Sequence, residues 1–160
     1  MWSGFFQRGG AWVLAQSVLV PVVLVLAILL PGDWGGSWPR VAGGLLGVLG
    51  AFFGLAGVAV LGRNRSAFPK PRPGSRLVRH GIYARVRHPL YTSGLMLTFG
   101  WALWWQSGLA LLAAGGLILF IRAKVRREEE WLREQFPEYP EYARRVPAFL
   151  PRIRRCGRTE

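Results

Sequence analysis

Three long blocks without a charged residue, 11–30, 41–61 and 91–121, set the pattern of this 160-residue chain. An α-helix rises 1.5 Å per residue, so about 20 apolar residues are needed to cross a hydrocarbon core of about 30 Å. The first two blocks have that length, and each reads as a membrane span. The third is too long for one helix and is broken near its middle by Gln106-Ser107-Gly108. It reads as a tight helical hairpin, with Trp101, Trp104 and Trp105 as interfacial aromatics. The pattern therefore predicts an all-α membrane protein with about four transmembrane helices, two spans plus the hairpin, and a C-terminal cytoplasmic amphipathic helix.

The punctuation within and between the blocks adds detail. Pro21 lies near the centre of the first span, where a missing N–H and a ring clash predict a kink or local widening. Gly43, Gly47, Gly50, Gly54 and Gly57 recur at three- and four-residue spacing in the second span and offer a smooth face for close packing, within one chain or between two. Pro69, Pro71, Pro73 and Gly74 disfavour both helix and sheet in the segment that follows. The hairpin is expected to start at Pro89 and to return near Arg122. From there the helix should run on through Lys124 to about Phe136, with Trp131, Leu132 and Phe136 on one side, and Pro137 and Pro140 should end it. Residues 1–160 thus form a single membrane domain: two helices over 11–61, a basic loop over 62–88, and the hairpin with the C-terminal segment over 89–160.

Charge fixes an expected orientation. Arg63, Arg65, Lys70, Arg72, Arg76, Arg79, Arg85 and Arg87 lie between residues 62 and 88 without one acidic residue, whereas 31–40 carries only Asp33 and Arg40. Short loops rich in Lys and Arg stay cytoplasmic, so both termini and the basic loop are expected on that side of a cytoplasmic membrane. This topology accounts for most of the +13 net charge. Membrane lipids with anionic headgroups are then the expected partners, and nucleic acid is not. The first block exceeds a signal-peptide core, and Pro31-Gly32-Asp33-Trp34 lacks a small-residue cleavage pattern, so it reads as a retained anchor. Cys156 is the single cysteine, which excludes an internal disulfide and a Cys-rich metal site, and its flanking residues do not form a prenylation box. No metal site is expected.

Two polar clusters can carry chemistry. The first is Gly81-Ile82-Tyr83-Ala84-Arg85-Val86-Arg87-His88-Pro89-Leu90-Tyr91. Proline suits the first turn of a helix, and the free N–H groups there suit a carboxylate, with Arg87 and His88 at its border. The second is Glu128-Glu129-Glu130 on the helix that returns to the same side. The two feet of one hairpin would then hold an anion site and a carboxylate site, a pocket for a ligand of mixed charge. Each cluster also has a plain alternative: cations obeying the positive-inside rule, and glutamates paired with Lys124, Arg126 and Arg127 along a solvated helix face.

In these residues the chain resembles the membrane methyltransferases that include isoprenylcysteine carboxyl methyltransferase and the phospholipid N-methyltransferases. The pattern Gly-x-Tyr-x-x-x-Arg-His-Pro-x-Tyr appears as Gly81, Tyr83, Arg87, His88, Pro89 and Tyr91, and Glu-Glu-x-x-Leu as Glu128, Glu129 and Leu132. Phe136, Tyr142, Val146-Pro147 and Pro151 continue the match. It covers roughly residues 77–151, with two departures: the segment from Phe136 to Tyr142 is about one residue short, and Ser93-Gly94 replaces a small residue expected directly after Tyr91.

The resemblance implies S-adenosylmethionine as methyl donor, held between the hairpin and the C-terminal segment. The residues expected to bind it are Tyr83, His88, Pro89, Tyr91, Glu128 and Glu129. Arg87 and His88 are the expected catalytic pair, Arg87 orienting an anionic acceptor and His88 serving as base where the acceptor must lose a proton. The acceptor is expected to be lipophilic or small and apolar, with a carboxylate, amine or thiol, and to enter through the membrane. A short chain rich in Arg and Gly suggests a prokaryotic source. The alternative class is a non-catalytic scaffold or assembly subunit that keeps the hairpin for packing.

Overall fold

The computed structural model describes residues 2–62, 68–71 and 74–151, with side chains from residue 5 onward. Cys156 and the cations Arg63, Arg65 and Arg72 lie outside the described residues. The regular structure of the described residues is all helical: α1 (Trp2–Gln7), α2 (Gly10–Leu29), α3 (Trp38–Leu61), a 3₁₀ turn (Gly81–Ala84), α4 (Pro89–Trp104), α5 (Gly108–Gln135) and α6 (Tyr139–Arg145).

Helices α2, α3 and α5 are each long and apolar enough to cross a membrane. The fourth, α4, has 16 residues and rises about 24 Å, short of the hydrocarbon thickness. Leu55 (72%), Leu112 (73%) and Leu119 (70%) stay exposed on the outer faces of α3 and α5, as side chains against lipid do. The chain is an all-α membrane protein.

Lipid tails are as apolar as leucine, so helices in a bilayer associate through close packing and polar contacts more than through burial from water. The α3–α4 pair shows the packing term. A Cβ placed on Gly43 would lie 2.5 Å from the Gly100 carbonyl oxygen, and one on Gly100 would lie 2.7 Å from the Gly43 oxygen. Further along, Gly50 faces Leu97, Gly54 faces Ser93 and Gly57 faces Leu90, which sets the two helices antiparallel. The glycine face therefore packs within one chain. Gly47 has open space where its Cβ would stand.

Small residues also bring α2 and α5 onto α4. Ala27, Ala102, Ala110 and Ala114 are fully buried together, with Val23 beside them. A second cluster, Leu117, Ile121 and Val125, packs with Val20, Leu95 and Phe149 nearer the polar end. Helix α2 runs unbroken through Pro21.

The hairpin turn falls where the sequence places it. Gln106 adopts φ 54°, and the Ser107 hydroxyl accepts from the Ala110 N–H as an N-cap. Trp34 N–H donates to Gln106 Oε1 at 2.5 Å and Gly32 N–H to the Trp105 carbonyl at 3.2 Å, so the α2–α3 loop is fastened to this turn. The start of α2, the end of α3, the start of α4 and the end of α5 consequently meet at the opposite side.

One correction concerns the C-terminal segment. As expected, α5 continues from its apolar part through Glu128 and Glu129 to Gln135. Pro137 follows its end as expected, but Pro140 stands in the first turn of α6 and opens that helix. A proline within the first turn removes an N–H that has no partner anyway, so the residue that stops one helix can start the next.

Candidate functional site

Gly81 opens the 3₁₀ turn at φ 59°, and a Cβ there would lie 2.6 Å from Val60 Cγ2. Only glycine permits both the left-handed backbone and this approach to α3. The turn buries Tyr83, whose carbonyl accepts from the Tyr142 hydroxyl at 2.6 Å. Burial, with the nearby Glu128 carboxylate adding to it, pushes the Tyr83 phenol up to about 12.

Four residues, 85–88, link the turn to α4. Arg87 N–H donates to the Pro147 carbonyl and His88 N–H to the Ala148 carbonyl, both at 2.9 Å. The Thr92 hydroxyl adds a bond to the Phe149 carbonyl at 2.8 Å. The C-terminal segment is thereby laid across the foot of α4. These bonds engage the N–H groups just before Pro89, which is itself fully buried.

Arg87 is held on every side. Its Nε and Nη2 reach Glu129 Oε1 at 3.1 and 2.7 Å, and its Nη1 reaches the carbonyls of Ala143 and Val146 at 2.6 Å each. Four of the five N–H donors of a guanidinium are thus satisfied by the protein. His88 Nε2 meets the same Glu129 Oε1 at 3.1 Å, and Arg133 approaches Glu129 Oε2 at 3.3 Å. Three cationic or polar side chains converge on one carboxylate, and through Arg87 it is linked to the carbonyls at the end of α6.

Glu128 takes a different direction. Its Oε2 accepts from the Tyr91 hydroxyl at 2.6 Å, and it lines a cavity of about 340 Å³. Arg87, His88, Pro89, Tyr83 and Tyr91 also line this cavity, whereas Glu129 does not. Sequence reading treated the two glutamates alike. Consecutive residues on a helix diverge by about 100°, and here that angle separates a carboxylate in the cavity from one beneath it.

The cavity also holds residues that the sequence reading did not assign to the site: Lys124 stood there only as a partner for the glutamates, and Leu132, Phe136 and Tyr142 only as part of the matched pattern. Lys124, almost fully buried on α5, donates to Gln16 Oε1 of α2 at 2.6 Å and lies 5.2 Å from the centre of the Tyr91 ring. Among the described residues it has no carboxylate within salt-bridge distance. One signal was present, a lysine four residues before Glu128 and so on the same helix face. Tyr139 and Tyr142 of α6, with Leu132 and Phe136, supply an aromatic and apolar wall. Phe68 and Pro69 close another side; Phe5 of α1 packs edge-on against Phe68 at 5.4 Å.

The cavity accordingly combines a cation, an anion, aromatic rings and an apolar wall at the polar end of a membrane bundle. Comparison with known proteins shows what such a chain is similar to. The cobalt-zinc-cadmium resistance protein CzcN of Cupriavidus metallidurans is 37% identical over 151 residues, covering 92% of this chain and 65% of the relative. The nickel-cobalt-cadmium resistance protein NccN of Alcaligenes xylosoxydans xylosoxydans is 34% identical over 149 residues, 92% of this chain and 66% of the relative. The chain thus spans just under two thirds of the length of these two relatives. Protein-S-isoprenylcysteine O-methyltransferase B of Arabidopsis thaliana is 27% identical over 143 residues, 86% of this chain and 73% of the relative. The phospholipid methyltransferase family pattern matches residues 38–139, from the start of α3 to the start of α6. That match takes in the glycine face, the 3₁₀ turn, the foot of α4 and both glutamates, and the chain belongs to the phospholipid methyltransferase family.

Proposed function

We propose that this protein transfers a methyl group from S-adenosylmethionine to a lipophilic or small apolar acceptor at the cytoplasmic face of the membrane. The observation that carries the reading is the central cavity, where Glu128 and Lys124 set opposite charges on one helix face beside Tyr83, Tyr91 and His88.

The lining fits the donor group by group. Lys124 and Gln16 suit its carboxylate, Glu128 its amino group or ribose hydroxyls, and the rings of Tyr83 and Tyr91 its sulfonium. Leu132, Phe136 and Tyr139 suit its adenine. The bound donor would supply an electrophilic methyl group on sulfur. The protein's own task is then to align the acceptor in line with that methyl and to keep water out.

His88 is the group to receive a proton from an amine or thiol acceptor. With Nε2–H donated to Glu129, the ring presents Nδ1 as acceptor, and the carboxylate stabilises the imidazolium that forms. A carboxylate acceptor needs no such transfer. Arg87, with its donors committed to Glu129 and to the carbonyls of Ala143 and Val146, serves as a positioning residue for His88 and the C-terminal wall. Leu61 and Leu90, at the lipid-facing ends of α3 and α4, line the side through which a hydrophobic acceptor enters.

Two relatives are named for metal resistance. Among the described residues no three His, Cys, Asp or Glu side chains are grouped to hold a metal ion. A contribution of this chain to such resistance is therefore read as methylation of a membrane component.

The test is calorimetric titration of S-adenosylmethionine into detergent-purified protein beside the Glu128→Gln variant. Binding that is lost in the variant supports the reading. Absence of binding by the native protein across several detergents and lipids overturns it in favour of a scaffold role.

A further inference from the structure

A second cavity, of about 410 Å³, opens on the other side of the 3₁₀ turn. Phe52, Phe53 and Ala56 of α3 wall it together with Ile82 and Pro151, and Arg85 is the one charged residue lining it. Phe52 is 60% exposed and sits on the outer face of α3 with Leu55, so this cavity faces the bilayer.

Arg85 contrasts with Arg87 two residues later. It is exposed, and among the described residues its guanidinium makes no hydrogen bond or ion pair. Arg76 and Arg79 are exposed nearby in sequence, and no acidic residue occurs from 62 to 88. An apolar wall at the end of a span, topped by a bare guanidinium in a field of uniform sign, matches one class of occupant. A phospholipid of net negative charge places an acyl chain along Phe52 and Phe53 and its phosphate on the Arg85 guanidinium. A zwitterionic headgroup brings a second cation into the same field and matches it less well.

We propose that this cavity is a binding site for an anionic phospholipid, separate from the central cavity. The occupant would brace the turn from outside. Gly81 already presses the turn against Val60 of α3, and the next-but-one residue, Tyr83, lines the central cavity.

Native mass spectrometry on the full chain in detergent, titrated with phosphatidylglycerol and phosphatidylcholine of matched acyl chains, tests the site. The native protein is expected to retain one phosphatidylglycerol about five- to tenfold more tightly than phosphatidylcholine. Arg85→Gln should abolish that preference, Arg85→Lys should restore part of it, Ala56→Phe should displace both lipids, and Arg79→Gln, which leaves the cavity lining intact, should keep most of the preference. Undiminished preference in Arg85→Gln overturns the proposal, as does equal retention of the two lipids by the native protein. Displacement of the lipid by a lipophilic methyl acceptor would reassign the cavity to the acceptor, and its loss on dimer formation would reassign it to a second copy of the chain.

Discussion

Glu128 and Glu129 are neighbours on one helix, yet the first meets the Tyr91 hydroxyl at 2.6 Å in the central cavity and the second meets the Arg87 guanidinium at 2.7 Å outside it. This division separates a ligand contact from a structural brace, and it makes the two glutamates distinguishable by experiment. Glu128→Gln keeps the shape and removes the charge in the cavity. Donor affinity should fall roughly ten- to hundredfold, equivalent to about 1.5–3 kcal/mol for a charged hydrogen bond, with little change in thermal stability. Calorimetry and a thermal melt of the same preparation give the two numbers.

Glu129→Gln should act in the opposite sense. It leaves Arg87 and His88 without their shared anion, and breaking a largely buried pair on one side costs about 3–5 kcal/mol. The variant should melt earlier than native protein, and limited proteolysis should cut first between α5 and residue 149. A Glu129→Gln variant with native stability would remove the bracing role.

Lys124 is nearly fully buried with a neutral partner, Gln16, and an aromatic face. Lys124→Met keeps length and apolar contact and removes the charge. Its thermal stability should match or exceed that of the native protein, because a desolvated ammonium is lost. The apparent dissociation constant for the donor should rise at least about tenfold if a carboxylate pairs there. Equal affinity in variant and native protein would dissociate Lys124 from the ligand.

The mutual approach of Gly43 and Gly100 leaves no room for a methyl group. Gly100→Ala should destabilise the bundle by about 1–3 kcal/mol, since the clash is with backbone that cannot swing aside. Gly47→Ala, one turn from Gly43 with open space around it, should be neutral. Thermal melts of the two variants in detergent make the comparison.

Burial holds Tyr83, Tyr139 and Tyr142 protonated: Tyr83 is pushed up to about 12, and Tyr139 and Tyr142 higher still. An unfolded chain releases these protons near pH 10 and the folded chain keeps them. Their contribution is therefore complete below about pH 10 and is lost as pH rises through 12. Tyrosinate absorbance and loss of helical circular dichroism should appear together in an alkaline titration. Phenolate formation near pH 10 in still-folded protein would contradict the burial described for these residues.

Much of this architecture was legible in the sequence. Charge-free blocks gave α2 and α3 to within a few residues, and Gln106-Ser107 marked the turn because a left-handed residue and an N-cap have local signatures. Pro89 marked the start of α4 for the same reason. The division of labour between Glu128 and Glu129 was not legible, since it depends on which side of α5 faces the cavity. Gln16 and Lys124 stand 108 positions apart, and only the packing of α2 on α5 brings them together. Short α1 and α6 lacked the length for a periodic pattern, and Pro140 was read as a terminator because a proline at a helix start and one past a helix end look alike in a short segment.

The backbone bonds from Arg87 and His88 to Pro147 and Ala148 also bear on how the molecule comes into being. All the apolar helices precede those carbonyls in the chain, so during synthesis they can enter the bilayer while the cavity still lacks a wall. The order of synthesis thus allows insertion to precede assembly: the pocket can close once the later polar segment folds back over the foot of α4.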